Sequence, residues 1–332
     1  IDLGAYELGD VIDRLPVLAN AEPAKGGSVN GSGYFDQGQT ATLQAVPADG
    51  FVFTGWSGDA KGALNPLQIK VHHARKVQAL FEPDADGDAL PDGWESRHGL
   101  NASQADKDGD ADNDGASNYL EFVYRTDPGN TDNRPTYTKK LFNSLAPARF
   151  LLPQGDVSET SWRTNNFPDD SWHRGTTSLV LDPEGDYPDL GKTDLSGTWT
   201  TGTAGLYVRI PFESSAPGEM SRLWLKIRYD DGFVAYLNGI EFARDNTPTI
   251  PKWNSRAVDS RSPTKARDPK KIDLTNNIDS MVEGGNILAI HLLNSDSFWD
   301  SLLLTVNLEA EYPLNDSDGH ADHDQDGLLN LE

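Results

Sequence analysis

The sequence predicts a mainly β protein of several domains, in which an acidic segment with two short helices joins a small β domain to a large β-sandwich. Strand-like runs separated by Gly, Asn, Pro and Asp flank that segment on both sides, as is typical of strands joined by turns. Acidic side chains recur at every second residue in three stretches. The chain has 332 residues, more than a single hydrophobic core usually holds.

The composition excludes several classes of partner. The chain carries 28 Lys and Arg against 52 Asp and Glu, a formal net charge of -24, which disfavours nucleic acids and anionic membrane surfaces. Its apolar runs are all shorter than the roughly 18 residues of a membrane-spanning helix, so we expect no membrane insertion. The sequence contains no cysteine, which excludes disulfides and thiol chemistry.

Residues 17–83 predict the small β domain, because short alternating runs are divided by Gly, Asn and Pro turns. This stretch resembles the internalin-type B-repeat of bacterial surface proteins. The residues that carry the resemblance include Gly26-Gly27-Ser28-Val29, Gly55-Trp56-Ser57-Gly58, Asn65-Pro66 and Phe81. The resemblance implies a β-grasp-like spacer domain and a secreted or cell-surface location in a bacterium.

Two loops in the acidic segment have the spacing of an EF-hand-type calcium loop, with oxygen ligands at positions 1, 3, 5, 7, 9 and 12. In the first loop these are Asp84, Asp86, Asp88, the carbonyl of Leu90, Asp92 and Glu95. In the second they are Asp110, Asp112, Asp114, the carbonyl of Ala116, Asn118 and Glu121. The sharp turn at position 6 has Gly115 in the second loop but Ala89 in the first. The predicted cofactor is therefore Ca²⁺, with several ions bound.

Asp106 and Asp108 lie between the two loops and fit neither spacing, so they predict an overlapping site that shares Asp110 and Asp112. With the pieces DGDALPDGWE, DADNDGASNYLEF and RTDP, the segment resembles bacterial thrombospondin type 3 repeats over residues 84 to about 132. That resemblance implies calcium ions strung along a chain with little hydrophobic core. We assign the module to residues 84–135, with helices over Asp92–His98 and Ser117–Tyr124.

The chain ends are expected to belong to further domains. The third acidic stretch, in residues 313–332, predicts a truncated calcium repeat with the candidate ligands Asp316, Asp318, Asp322, Asp324 and Asp326. The opening IDLGAYELGD resembles the closing motif of bacterial β-helix domains, so residues 1–16 are expected to be the end of an upstream domain and a linker. The adjacent domains of the same protein are therefore expected partners.

Residues 136–312 predict the large β-sandwich, because many strands follow one another in a single block. LWLKIRY at 223–229 alternates apolar and polar side chains, and FVAYLNGIEFAR at 233–244 predicts a hairpin that turns at Asn238-Gly239. The block resembles the galactose-binding-like jelly roll, which is akin to the sugar-binding domain of family 2 glycoside hydrolases. The resemblance rests on Ser161-Trp162, Phe167–Trp172, Tyr229–Phe233 and Asn286–His291.

A glycan site on this sandwich would need a flat aromatic side chain and a few polar groups at one end. The candidate residues are Arg244, Trp253, Asn254, Arg256 and Trp299. Asp230-Asp231 supplies the paired carboxylates that glycoside hydrolysis requires, but a turn explains an adjacent pair more simply. We therefore predict a non-catalytic region that binds calcium and a glycan or cell-surface polysaccharide, in a protein that includes a polysaccharide-active enzyme elsewhere. The alternative is a structural spacer of a large adhesin that binds no glycan.

Overall fold

The computed structural model describes residues 14–155, 161–200, 202–295 and 301–314, which divide into two compact units. The first unit holds the described residues up to Pro135 together with Leu314, and the second spans Thr136–Pro313. Both are built mainly from strands, so the predicted mainly β, multidomain fold is confirmed. Most of the two terminal segments lie outside the described residues, including Asp316, Asp318, Asp322, Asp324 and Asp326.

The β domain of the first unit consists of two small sheets. Its strands are β1 (Leu15–Glu22), β2 (Gly27–Asn30), β3 (Gly33–Phe35), β4 (Thr40–Pro47), β5 (Phe51–Gly58), β6 (Leu67–Lys70) and β7 (Arg75–Pro83). One sheet has the order β3-β1-β7-β5 and contains a parallel pair, β1 with β7, while the other has the order β2-β4-β6. Val17, Leu43, Trp56, Val77 and Phe81 from the two sheets form the shared core.

The acidic segment follows β7 directly and contains two short helices, α1 (Asp92–His98) and α2 (Asn118–Tyr124). The predicted bounds of α1 are confirmed. Helix α2 begins one residue later than predicted because Ser117 is its N-cap, with a side-chain oxygen that accepts a 3.2 Å hydrogen bond from the Leu120 N–H. Only a few large apolar side chains are buried here, among them Leu90, Trp94 and Leu120.

The second unit is a sandwich of two sheets with one helix, α3 (Pro263–Arg267). Its strands are β8 (Thr136–Phe142), β9 (Pro147–Leu151), β10 (His173–Thr176), β11 (Ser178–Leu181), β12 (Thr193–Asp194), β13 (Gly205–Ser214), β14 (Arg222–Asp230), β15 (Gly232–Leu237), β16 (Ile240–Asp245), β17 (Lys270–Asp273), β18 (Gly284–Leu293) and β19 (Leu302–Pro313). One sheet has the order β10-β9-β13-β18-β15-β16. The other has the order β12-β11-β19-β14-β17, and β8 also pairs with β19.

The core of the sandwich lies between these sheets and follows the alternation of the sequence. Leu223, Leu225 and Ile227 of β14 are fully buried, whereas the intervening side chains are partly exposed. The predicted hairpin is confirmed, since β15 and β16 pair antiparallel and are joined at Asn238-Gly239. Among the described residues, no helix is long and apolar enough to cross a lipid bilayer.

Candidate functional site

The first calcium-type loop gathers carboxylates from two parts of the acidic segment. Ligand oxygens of Asp84, Asp86 and Asp88 lie within 4.8 Å of one another, and so do those of Asp88, Glu95 and Asp106. Asp88 belongs to both groups and joins them into one cluster. Asp84, Asp88 and Glu95 are buried, so the cluster is largely shielded from bulk water.

Backbone amides hold the shape of this first cluster. Asp84 Oδ1 accepts a hydrogen bond from the Gly87 N–H at 2.8 Å, and its Oδ2 accepts one from the Ala89 N–H at 3.0 Å. Ala89 has a φ of 78°, so the turn that the second loop makes at a glycine is made here by a residue with a side chain. Asp92 Oδ1 closes the loop by accepting from the Ala85 N–H at 2.7 Å.

The second loop has the same design. Ligand oxygens of Asp110, Asp112 and Asp114 lie within 4.8 Å of one another. Asp110 Oδ2 accepts from the Gly115 N–H at 2.8 Å, and Asp114 Oδ1 accepts from the Ala116 N–H at 2.8 Å. Gly115 has a φ of +94°, a conformation that favours glycine.

Several oxygens of these clusters are buried and have no hydrogen-bond donor among the described residues. They are Asp86 Oδ2, both carboxylate oxygens of Glu95, Asp106 Oδ1, Asp112 Oδ2, Asp114 Oδ2, Asn118 Oδ1 and Glu121 Oε2. Buried polar groups in proteins nearly always have a partner, because leaving one unpaired costs about 1–3 kcal/mol or more. Oxygens from both loops are therefore arranged for a partner that the described polypeptide does not supply.

The electrostatics point to a cationic partner. Burial and the neighbouring carboxylates, Asp86 and Asp88 among them, raise the pKa of Glu95 from 4.5 to about 7. Burial and the nearby Asp112 and Asp114 likewise raise the pKa of Glu121 from 4.5 to about 7. Each cluster would hold mutually repelling charges at neutral pH unless a cation sat among them. Hard carboxylate and amide oxygens in this number are the donor set that Ca²⁺ takes, so the residues fit the predicted ion.

The structure changes the predicted grouping of the linker aspartates. Asp106 joins Asp88 and Glu95 of the first loop, rather than starting an overlapping site with Asp110 and Asp112. The N–H groups of Asp106 and Lys107 both donate to Asp88 Oδ2 at 2.9 Å, which folds the linker back onto the first loop. Asp108 is exposed and belongs to neither cluster. Sequence spacing could not reveal this, because the fold-back joins residues 18 positions apart.

The other predicted calcium ligands of the two loops are mostly buried. Leu90 and Ala116, whose carbonyls were predicted at position 7, are fully buried beside their clusters. Asn118 and Glu121 lie on the first turn of α2 and are also buried, and Glu121 is close enough to Asp112 and Asp114 for their charges to raise its pKa. Thr126 supports Glu121 by donating from its hydroxyl to Oε1 at 3.3 Å, a contact that the loop spacing does not predict.

In the sandwich, three of the five predicted glycan-binding residues come together. Trp253, Asn254 and Arg256 line an open cavity of about 410 Å³. Its other walls are Pro153, Gln154, Thr200, Gly202, Thr203 and Ala204. Trp253 is partly buried and packs at the edge of a cluster that includes Trp162 and Tyr207.

Arg244, a fourth predicted glycan-binding residue, does not line this cavity. Arg244 donates to both carboxylate oxygens of Glu241, at 2.6 and 2.7 Å, and to the carbonyls of Pro248 and Thr249. Its guanidinium therefore supports the loop after β16. Trp299 lies outside the described residues.

Asp230 and Asp231 are structural elements of the sandwich. The Tyr187 hydroxyl donates to Asp230 Oδ2 at 2.7 Å, while the N–H groups of Arg261 and Ser295 donate to the two oxygens of Asp231. Both aspartates are almost fully buried where the chain passes from β14 in one sheet to β15 in the other. This arrangement favours the turn interpretation over a catalytic pair.

Comparison with known proteins identifies one module. Residues 17–85 match the model of the divergent InlB B-repeat domain, which confirms the internalin-type repeat predicted for residues 17–83. This match covers about a fifth of the chain. No curated protein sequence matches the chain.

Solved structures with a partial likeness include three bacterial β-glucuronidases. That of an uncultured Clostridium sp. has 17% identity and a TM-score of 0.32, over 55% of this chain and 30% of that chain. That of Bacteroides uniformis has 12% identity and a TM-score of 0.33, over 53% and 18%. The Ruminococcus gnavus enzyme in complex with D-glucuronic acid has 10% identity and a TM-score of 0.32, over 55% and 30%. This chain thus spans less than a third of each, and the scores are too low to bear on activity or ligand.

Proposed function

We propose that residues 84–135 form a calcium-binding module with two principal sites, one in each loop. The observation that carries this proposal is the set of buried carboxylate oxygens that converge without a donor among the described residues. The first site would be held by Asp84, Asp86, Asp88, Glu95 and Asp106, and the second by Asp110, Asp112, Asp114, Asn118 and Glu121. Calcium supplies the positive charge that lets these side chains stay ionised and close together.

The role of this module is to fix geometry around it. The first loop starts where β7 ends, and the Asp84 N–H donates to the Gly50 carbonyl of the β domain at 3.0 Å. Ordering the loop therefore also orders its attachment to the preceding strand. We propose that calcium converts residues 84–135 from a self-repelling acidic linker into a defined joint between neighbouring domains, as in the thrombospondin type 3 repeats that the segment resembles.

Calcium titration of the metal-stripped chain by calorimetry tests the proposal. We expect saturable heat with calcium and a much weaker response to magnesium, which demands tighter octahedral geometry. Glu121→Gln should abolish calcium binding at the second site or weaken its affinity at least about tenfold. Asp108→Asn, which removes an exposed charge outside both clusters, is the matched control and should bind as the wild type does. Equal titrations of wild type and Glu121→Gln would contradict the assignment.

For the sandwich we propose a non-catalytic, carbohydrate-binding role. The supporting observation is the open cavity in which Trp253 lies beside the polar side chains of Asn254 and Arg256. An aromatic ring flanked by hydrogen-bonding groups is a common arrangement for holding a sugar. Together with the InlB B-repeat match, this favours an exported, surface-exposed bacterial protein in which the chain is an accessory region.

A glycan array probed with the calcium-loaded chain tests the carbohydrate proposal. Trp253→Ala should abolish any binding found, because it removes the ring that a sugar would contact. Ile250→Ala, which truncates a highly exposed side chain outside the cavity, is the control for surface changes in the same loop. Wild-type chain that binds no glycan would support the spacer role instead.

A further inference from the structure

The linker between the two calcium-type loops is hydrogen-bonded to both of them. On one side, the N–H groups of Asp106 and Lys107 donate to Asp88 Oδ2 at 2.9 Å. On the other side, the Asn118 N–H donates to the Gly109 carbonyl at 2.7 Å, and the Tyr119 N–H donates to the Lys107 carbonyl at 2.9 Å. Residues 106–109 are thus held between the first loop and the start of α2.

Asp106 faces the first site from this linker. Its ligand oxygen lies within 4.8 Å of those of Asp88 and Glu95, and its Oδ1 is buried without a donor in the described chain. Glu95 itself is completely buried, and neither of its oxygens receives a hydrogen bond from the described residues. Two unsatisfied carboxylates therefore converge on one point, and one of them is supplied from outside the twelve-residue loop.

Asn118 connects this arrangement to the second site. Its Nδ2 donates to the Asp106 carbonyl at 2.8 Å, which ties it to the residue that completes the first site. Its Oδ1 is buried, has no donor in the part of the chain described, and belongs to position 9 of the second loop. One amide side chain thus contacts the Asp106 backbone through its nitrogen, while its buried oxygen stands at the ninth position of the second loop, which the spacing assigns to a ligand.

We propose that the two calcium sites are positively coupled through Asn118 and Asp106. A calcium ion in the second site would fix the Asn118 amide, whose Nδ2 holds the Asp106 backbone where its carboxylate reaches the first site. Occupation of the first site would fix Asp106 and, through the same hydrogen bond, orient Asn118 for the second. This inference rests on the proposed calcium function. Because coupling between equilibrium binding sites is reciprocal, each ion must raise the affinity of the other by the same factor.

Site-specific variants measure the coupling factor. Glu121→Gln disables the second site and isolates the first, while Glu95→Gln does the converse. The double variant gives a baseline for calcium bound elsewhere in the chain. We expect each isolated site to be at least about fivefold weaker than in the wild type, the lower end of typical coupling. If the product of the two isolated association constants equals the overall association constant of the wild type for two ions, the sites are independent. That result would overturn the coupling but not the calcium function. A wild type that binds no more calcium than the double variant would overturn the calcium function itself.

Asn118→Asp separates the two roles of this side chain, because it keeps an oxygen for the second site but loses the Nδ2 donor to Asp106. We expect calcium still to bind the second site, with the first site weakened to the level of Glu121→Gln. Asp108→Asn, in the same linker but in neither cluster, should leave both sites unchanged. If Asn118→Asp preserves the wild-type coupling, the proposed link is wrong.

Amide hydrogen exchange shows which backbone segment each calcium ion orders, which affinity alone does not show. In Glu95→Gln, where only the second site can fill, calcium should slow exchange at the amides of Asp106 and Lys107, which lie at the first loop. Adding Asn118→Asp to this variant should abolish that slowing while the second loop still becomes protected. Equal slowing with and without Asn118→Asp would contradict transmission through the amide.

Discussion

The acidic segment and the sandwich bury charged side chains in opposite ways. In the sandwich, buried Arg209 donates to Asp169 Oδ2 at 2.7 Å and to the carbonyls of Trp162 and Thr164, so its charge is met within the chain. In the acidic segment, buried Glu95 and Glu121 sit among further carboxylates. The sandwich also has a large core between its sheets, while the segment has only a few buried apolar side chains.

This difference shows where the stability of each region comes from. Burying an unpaired charge is expensive, whereas a charge with well-placed partners can be accommodated. In the described part of the sandwich, the charge of Arg209 is balanced within the chain, and an apolar core lies between the two sheets. If the proposed calcium function holds, the segment leaves its carboxylates to be balanced by calcium, and its folded state should depend on the calcium concentration. Calcium removal, charge substitution and pH should therefore affect the two regions differently.

Removing calcium should have the largest effect and should act on the acidic segment alone. Calcium at a thousand times its dissociation constant stabilises a binding-competent fold by about 4 kcal/mol per site. With excess chelator, we expect amides within residues 84–132 to lose hydrogen-exchange protection, while β13, β14, β18 and β19 keep theirs. Loss of protection in both regions, or in neither, would break the comparison.

Arg209→Gln should have the next largest effect and should act on the sandwich alone. It leaves Asp169 without its charged partner and removes donors from two carbonyls, a change that typically costs about 3–5 kcal/mol. Denaturant unfolding should show this loss equally with calcium and with chelator. A loss that appears only with chelator would mean that calcium also supports the sandwich.

Glu121→Gln is the matched charge removal in the acidic segment. Without calcium it should stabilise the segment, whereas Arg209→Gln destabilises the sandwich. Because neighbouring carboxylates and burial disfavour the ionised form, a neutral amide relieves repulsion in the metal-free segment. We therefore expect slower hydrogen exchange at α2 than in the wild type with chelator, and faster exchange at limiting calcium. The same direction under both conditions would show that charge repulsion does not control the stability of the metal-free segment.

The two regions should also respond oppositely to pH. The pKa of Glu95 and Glu121 is raised to about 7, so the metal-free segment is most stable below pH 4.5 and loses that contribution as pH rises towards 7. Burial lowers the pKa of His291 in β18 to about 3, so the sandwich keeps its contribution above pH 6.5 and loses it as pH falls towards 3. Hydrogen exchange with chelator at pH 5 and pH 7, corrected for intrinsic rates, measures both effects. Between pH 5 and pH 7 the protection of the acidic segment should fall, and that of β18 should rise.

Arg244→Ala should have the smallest effect, because its ion pair with Glu241 is about one-third exposed. Pairs of this kind contribute about 0.2–1 kcal/mol. We expect a small loss of sandwich stability, independent of calcium, and unchanged glycan binding. Weaker glycan binding would place Arg244 in the ligand site after all.

The local pattern of the sequence predicted much of this molecule. Alternation in residues 223–229 predicted β14, Asn238-Gly239 predicted the hairpin, and Asp92–His98 predicted α1, because each signal lies within a few neighbouring residues. The loop spacing also indicated that the first three aspartates of each loop would lie close together.

Long-range contacts could not be predicted in this way. The placement of Asp106 at the first loop depends on a backbone fold-back to Asp88, which no spacing rule encodes. The contacts of Arg244 could not be predicted for a different reason. Its partners, Glu241 and the Pro248 carbonyl, are close in sequence, but the local backbone conformation that brings them to the guanidinium is not evident from the sequence. Likewise, the change of sheet at Asp231 follows from pairing between strands far apart in sequence.

The most direct test of the central claim is the number of calcium ions bound at equilibrium by the wild type and by the Glu95→Gln/Glu121→Gln double variant. Both would be measured by equilibrium dialysis of the full chain at calcium concentrations that saturate the wild type. The two-site account predicts that the variant binds about two fewer ions, and that it retains the near-ultraviolet dichroism of the sandwich. Equal numbers of bound ions in the two proteins would contradict it.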